Sequence, residues 1–193
     1  MDIIFATSNK NKLREVHQII GHDLIKLSSL EDIGYDQDIA ETGTTLNENA
    51  WIKTETIYQR FQGNVISEDT GLEVDALDME PGVYSARYAG SQRSDQDNMD
   101  KLLQKLSTMS NRKAQFRTVV ALILNQERHT FEGVVRGEIA LERSGNGGFG
   151  YDPIFIPDGY SESFGVLSPT IKNKISHRGR AFHKVKDFLH SIL

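Results

Sequence analysis

The chemistry in this sequence concentrates first at Ser67-Glu68-Asp69-Thr70-Gly71, where two adjacent carboxylates and a hydroxyl follow the short strand Asn64-Val65-Ile66. Gly71 breaks that strand in this reading, so Glu68 and Asp69 lie on a turn at its rigid end. Hard oxygens held there suit a divalent cation such as Mg²⁺, and one of them suits a general base. A solvated acidic turn shaped by Gly71 is the plainer alternative. A second concentration spans Thr7, Ser8, Asn9, Lys10 and Lys12, bringing hydroxyls, amides and two ammonium groups to the start of a helix. Free amides and the helix dipole there favour phosphate, or the stretch is simply a polar cap with solvated lysines. No Gly-x-x-x-x-Gly-Lys-Ser/Thr loop occurs in the chain. Glu41 and Lys53, each taken alone, read as a loop acid and a surface lysine.

Two further stretches complete the set. Gly145-Asn146-Gly147-Gly148-Phe149-Gly150 matches G-x-G-x-x-G, yet Pro153 follows and Ile154-Phe155-Ile156 reads as strand, so no helix opens as a dinucleotide site requires. The turn brings backbone and the rings of Phe149 and Tyr151 close to a planar ligand, or it is a tight turn with two core aromatics. Lys172-Asn173-Lys174-Ile175-Ser176-His177-Arg178 is a basic cluster ahead of a helix, either an anion site or a solvated loop.

Composition removes several function classes. A net charge of -5 argues against general binding to nucleic acid or anionic membrane. The absence of cysteine excludes disulfides, thiolate nucleophiles and cysteine zinc sites, and His177, His183 and His190 lack zinc-helix spacing. Ser176 beside His177 makes no triad without a nucleophile elbow. The run Ile3-Ile4-Phe5-Ala6 is too short for a signal core, and no run has membrane-spanning length. These features suit a soluble cytoplasmic protein, and 193 residues suit a single domain, 1–193, divided into two lobes.

The elements that must position these groups follow from periodicity. Residues 2 to 6 read as a buried strand. Next comes a helix with Leu13, Val16 and Ile20 inward, and then a strand near Leu24 to Leu27. Thr45-x-x-Glu48 is a capping box for a helix to about Phe61, with Ala50, Trp51, Thr54, Ile57 and Phe61 buried and Lys53 further round. Leu72 to Leu77 reads as a separate strand, and Ser94 to Met109 as a structural helix with Met99, Leu102, Leu103 and Leu106 inward. Gln115 to Asn125 and Thr130 to Leu141 form a hairpin around Gln126-Glu127-Arg128-His129, its first strand buried on both faces. A last helix, from Gly179 to Ile192, carries Phe182, Val185, Leu189 and Ile192 on one face.

In order and spacing the motifs are Thr7-x-Asn9-x-x-Lys12, Glu41-Thr42-Gly43, Asn47-x-x-Ala50-x-x-Lys53 and Glu68-Asp69-Thr70-Gly71. They continue with Pro81-Gly82-x-Tyr84-Ser85-Ala86-Arg87-Tyr88, Gly147-Gly148-Phe149-Gly150-Tyr151-Asp152-Pro153 and Ser176-His177-Arg178. Over nearly the whole chain they resemble the inosine-triphosphate pyrophosphatase family, which removes non-standard purine nucleoside triphosphates. The resemblance implies an elongated two-lobed α/β fold around a long mixed twisted sheet, a central substrate cleft and a homodimer. It implies Mg²⁺-dependent hydrolysis of ITP, dITP and XTP to monophosphate and pyrophosphate. It places Thr7, Ser8, Asn9, Lys10, Asn11, Lys12 and Lys53 on the triphosphate. Glu41 and Asp69 would hold the metal, with Asp69 also activating water. Thr70, Phe149, Gly150, Tyr151, Asp152, Lys172, His177 and Arg178 would contact the nucleotide. Glu68 stands where many members carry Asp. The related Maf-type pyrophosphatases, acting on modified pyrimidine or standard nucleotides, share the opening motif; the Phe-Gly-Tyr-Asp and Ser-His-Arg elements point away from them.

Overall fold

Alternation of apolar residues in Asp2–Phe5 buries Ile3 and Phe5 on one side of the first strand, β1, and Asn9 then turns the chain into helix α1 (Lys10–Ile20). The Asn9 side chain accepts from the amides of Asn11 and Lys12, satisfying two of the donors a helix start leaves open. The computed structural model describes residues 1–21 and 25–193. Of the strand expected near Leu24 to Leu27, Leu24 lies outside the described residues, and β2 spans Lys26–Ser28, parallel to β1. Helix α2 (Leu46–Phe61) has both halves of the Thr45/Glu48 capping box, buries Ala50, Thr54 and Ile57, and leaves Trp51 and Phe61 half-buried.

The remaining elements are β3 (Val65–Val74), β4 (Pro81–Gly82), α3 (Asp95–Lys105), β5 (Lys113–Leu124), β6 (Glu127–Ile139), β7 (Phe155–Pro157), α4 (Pro169–Ile175) and α5 (His177–Ser191). The sheet order is β2-β1-β3-β5-β6-β7, with β4 paired to β3. Parallel β1–β3 and antiparallel β3–β4 and β6–β7 pairs make it mixed, so the fold is α/β. Successive buried residues from Val119 to Leu124 show that the second half of β5 is covered on both faces, while its first half alternates from exposed Lys113 to buried Phe116.

The chain divides into two compact units. One comprises Met1–Asp69, Thr118–Gly133 and Arg178–Leu193, the other Thr70–Arg117 and Val134–His177. In the first, Phe5, Val16, Ile66, Val120, Leu122, Phe182, Val185 and Leu189 share a core. In the second, Leu72, Met99, Leu102, Leu106, Phe116, Phe155 and Phe164 do so.

Four expectations need correction. Gly71 does not end a strand: β3 runs unbroken through Ser67 to Val74, and only Asp75–Leu77 leaves it, as a 3-10 turn. The hairpin turn is Asn125-Gln126, both with positive φ (50° and 71°), while Glu127, Arg128 and His129 already belong to β6. Two such residues match the twist of a hairpin, which longer turns do not require. The basic segment is no loop, because Ser168 caps α4 and Lys172 lies within that helix. Finally, Ile192 lies beyond α5 and is 48% exposed.

Gly137 in β6 marks a close strand crossing. A Cβ there would stand 2.1 Å from the Ile156 carbonyl oxygen and 2.9 Å from the Phe155 ring. Gly137→Ala is therefore expected to cost about 1–3 kcal/mol by prising β7 from β6, read as a lower urea midpoint at unchanged m-value.

Candidate functional site

In the first unit, three hydroxyl contacts bring α2 against the sheet. Ser67 donates to the Ala50 carbonyl at 2.6 Å, and Thr54 Oγ1 lies 2.9 Å from Ser67 Oγ and 3.1 Å from the Ala121 carbonyl. One residue before Thr54, Lys53 consequently points inward rather than to solvent, its side chain only 9% exposed. Its ammonium bonds Asp69 Oδ1 at 3.2 Å and Glu41 Oε1. The Glu41 loop is tied to α2 in turn, because Gly43 donates its N–H to Asn49 Oδ1 at 2.8 Å.

Two carboxylates from distant segments thus converge on one cation. Burial alone would lower the Lys53 pKa, but Asp69 and Glu41 outweigh it and raise it, so the ammonium stays charged. Burial also pushes the Asp69 carboxyl up, against the opposing pull of Lys53 and Lys12. Among the described residues, Asp69 Oδ2 is buried and has no hydrogen-bond partner. No group of three or more His or acidic side chains among them is arranged to hold a metal ion by itself. A buried unpartnered oxygen, beside a point where two carboxylates already hold a positive charge, fits a hard divalent cation whose other ligands come from phosphate and water.

The N-terminus of α1 supplies the other cation. Lys12 is half-buried, and its ammonium has no hydrogen-bond or ion-pair partner among the described residues. Burial lowers its pKa, with only partial compensation from Glu68. Lys10, by contrast, stands in solvent with its side chain 89% exposed, 3.9 Å from Glu31. Asn9 is committed to capping, and Asn11 Oδ1 accepts from Arg14 at 2.9 Å. Thr7 Oγ1 accepts the Asn9 amide at 3.2 Å, and Ser8 is exposed.

Glu68 and Arg178 form a buried pair in the same unit. Arg178 donates Nε to Glu68 Oε1 at 2.6 Å and Nη1 to Glu15 Oε2 at 2.7 Å. Burial acts to lower the Arg178 pKa, but the two carboxylates reverse it and the shift is upward. Glu15 is the residue that reading the sequence missed. Its spacing of three from Lys12 puts both on one helix face, and that was the available signal.

In the second unit, Thr70 continues β3 as a half-buried residue. Asp152 Oδ2 accepts the Phe149 amide at 2.7 Å and the buried Lys172 ammonium at 2.6 Å. That ammonium lies 4.9 Å from the Phe149 ring centre. Phe149 is half-buried, whereas Tyr151 belongs to the core and donates its hydroxyl to the Ser85 carbonyl at 2.9 Å. Burial raises its pKa. The pair of rings expected to face a ligand thus reduces to Phe149. Gly150 has open space around its α-carbon. His177 is buried and stacks on Phe116, with ring centres 4.5 Å apart.

Comparison with known proteins identifies the family. The model of the Ham1 family matches residues 3–188. A dITP/XTP pyrophosphatase of Flavobacterium psychrophilum is 47% identical over 188 residues, 97% of this chain and 98% of that protein. The solved structure of the Staphylococcus aureus Ham1 protein superposes with a TM-score of 0.91 at 39% identity, covering 100% of both chains. A HAM1 protein from Coxiella burnetii gives 0.91 at 36% identity over 99% of each. With the mixed sheet, the convergent carboxylates and the family match in one chain, this protein belongs to the Ham1 family.

Proposed function

We propose that this protein hydrolyses non-standard purine nucleoside triphosphates, ITP, dITP and XTP, to the nucleoside monophosphate and pyrophosphate. The observation that carries the reading is the convergence of Glu41 and Asp69 on Lys53, with Asp69 Oδ2 left unpartnered. The dITP/XTP pyrophosphatase activity named for the relatives supports it. Glu41 and Asp69 would hold Mg²⁺, which when bound neutralises phosphate charge and polarises the phosphoanhydride. Lys12, Lys53 and the amides and hydroxyls from Thr7 to Asn11 would bind the triphosphate, countering the charge that builds as the bond breaks. Water adds across the α–β phosphoanhydride. Its oxygen joins phosphorus, the bridging P–O bond breaks toward the leaving group, and its proton passes to Asp69.

Thr70, Phe149, Gly150, Tyr151, Asp152, Lys172, His177 and Arg178 are the residues we assign to the nucleoside, with Phe149 stacking on the base and Tyr151 shaping the turn from the core. Donors to a 6-keto oxygen face the amino group of adenine as an unpaired mismatch, which penalises ATP. Arg178, its plane fixed by Glu68 and Glu15, suits that role. The enzyme is assigned to the cytoplasm as a homodimer. No helix among the described residues is long and apolar enough to cross a membrane.

A panel of ITP, XTP, dITP, GTP, ATP and dUTP at equal concentration tests the reading. Inosine and xanthosine nucleotides are expected to release pyrophosphate fastest; preference for dUTP or the standard purines would contradict it.

Lys12 carries a separate prediction. An ammonium held without a partner destabilises the empty protein, so Lys12→Met should raise its stability by about 0.5–2 kcal/mol while lowering kcat/KM for ITP. With a folded pKa below 10.5, wild type binds fewer protons folded than unfolded between those values. Its deficit relative to Lys12→Met should therefore shrink as pH rises through the folded pKa toward 10.5. Paired thermal melts across alkaline pH measure this.

A further inference from the structure

Two successive amides fix the backbone of Phe149, and each does so through a carboxylate. The Phe149 N–H donates to Asp152 Oδ2 at 2.7 Å, and the Gly150 N–H donates to Asp95 Oδ2 at 2.7 Å. These N–H groups belong to the two peptide planes flanking the Phe149 α-carbon. Holding both planes sets its φ and ψ and so the direction in which the ring leaves the chain. Asp152 lies within the same turn, but Asp95 comes from α3, 55 residues earlier in the chain.

Helix α3 is a firm base for this tether. Buried Asn98 accepts the Ala89 amide at 2.7 Å and donates to the Ala86 carbonyl at 3.2 Å, and Met99 and Leu102 lie in the core. Its first turn favours a carboxylate at Asp95 through the helix dipole. The other end of the loop meets the same helix, since Arg143 Nη2 donates to Asp100 Oδ1 at 2.6 Å and to the Gln96 carbonyl at 2.9 Å. Gly150 itself has φ +62°, which glycine adopts without steric cost, so the turn can present its N–H to Asp95 unstrained.

We infer that Asp95 is a positioning residue for base recognition, acting through the Gly150 amide on the Phe149 ring. This rests on the reading that Phe149 meets the base. Asp95 is exposed and belongs to none of the groups assigned to substrate or metal.

The test compares Asp95→Ala with Asp95→Asn, which keeps an oxygen acceptor, in the full chain with ITP and Mg²⁺. Asp95→Ala is expected to raise KM about fivefold, with kcat changed much less, and Asp95→Asn to restore most of the loss. In a Phe149→Ala background, Asp95→Ala should leave KM within about twofold, because the ring it positions is gone. Amide exchange at Gly150 should quicken in Asp95→Ala. Wild-type KM in Asp95→Ala, or an undiminished effect in the Phe149→Ala background, would overturn the inference. Phe149→Ala with wild-type KM would instead overturn the base-stacking reading, with the exchange rate at Gly150 still reporting the tether.

Discussion

Asp69→Asn is expected to lower kcat for ITP by between about 100- and 10,000-fold, the range over which a positioned base contributes. KM should change far less, because Lys12 and Lys53 remain to bind phosphate. The fold should survive. Lys53 keeps Glu41, and the substitution removes a carboxyl whose ionisation burial already disfavours. The sign is open to measurement. With a folded pKa above 3.8, Asp69 contributes stability at acid pH that is lost as pH rises through its folded pKa. The Asn variant should gain on wild type over that window and stay at least as stable at neutral pH. A variant that is inactive and well folded separates chemistry from architecture; full turnover with ITP and Mg²⁺ saturating would remove Asp69 from the mechanism.

The largest expected effect on stability belongs to Arg178. Its guanidinium is 1% exposed and neutralises Glu68, whose side chain is fully buried, together with the nearly buried Glu15. Arg178→Met removes one member of a buried pair from the fully buried Glu68, a change that typically costs about 3–5 kcal/mol. For a chain of this size that is a fall in Tm of roughly 10 °C. Adding Glu68→Leu should recover part of it, because replacing both members of a buried pair by apolar residues is far cheaper than removing one, while Glu15 still lacks the guanidinium. If Arg178→Met melts with wild type, the pair is not what holds α5 to β3. Any loss of selectivity in the doubly substituted, refolded protein then reports the base-facing role of Arg178 apart from stability.

The same two residues show which parts of the structure were legible in the sequence. The β1–α1 unit, the capped helix α2 and the buried strand β5 were readable because local periodicity and caps determine them. The break assigned at Gly71 failed for a nonlocal reason. Adjacent acids look like a turn because burying them unpaired is prohibitive. Their partners, Arg178 for Glu68 and Lys53 for Asp69, lie 110 and 16 residues away. Pairing converts an apparent turn into the middle of a strand. Lys172 reads from the sequence as part of either an anion site or a solvated loop, and its buried partner Asp152, 20 residues earlier, leaves no local trace. Tyr151 reads equally well as core or as a free ring, and its burial with its bond to the Ser85 carbonyl decides. The candidate residues themselves were legible as an ordered set of motifs. Their pairwise contacts were not, since ion pairs between distant segments leave no periodic trace.

The central claim is that the α–β phosphoanhydride is the bond broken. The most direct measurement is chromatographic identification of both products from ITP with Mg²⁺ present, alongside the Asp69→Asn variant. Inosine monophosphate and pyrophosphate in equal amounts, formed at least about 100-fold more slowly by the variant, is the predicted result; inosine diphosphate with orthophosphate, or undiminished turnover by the variant, would contradict the account.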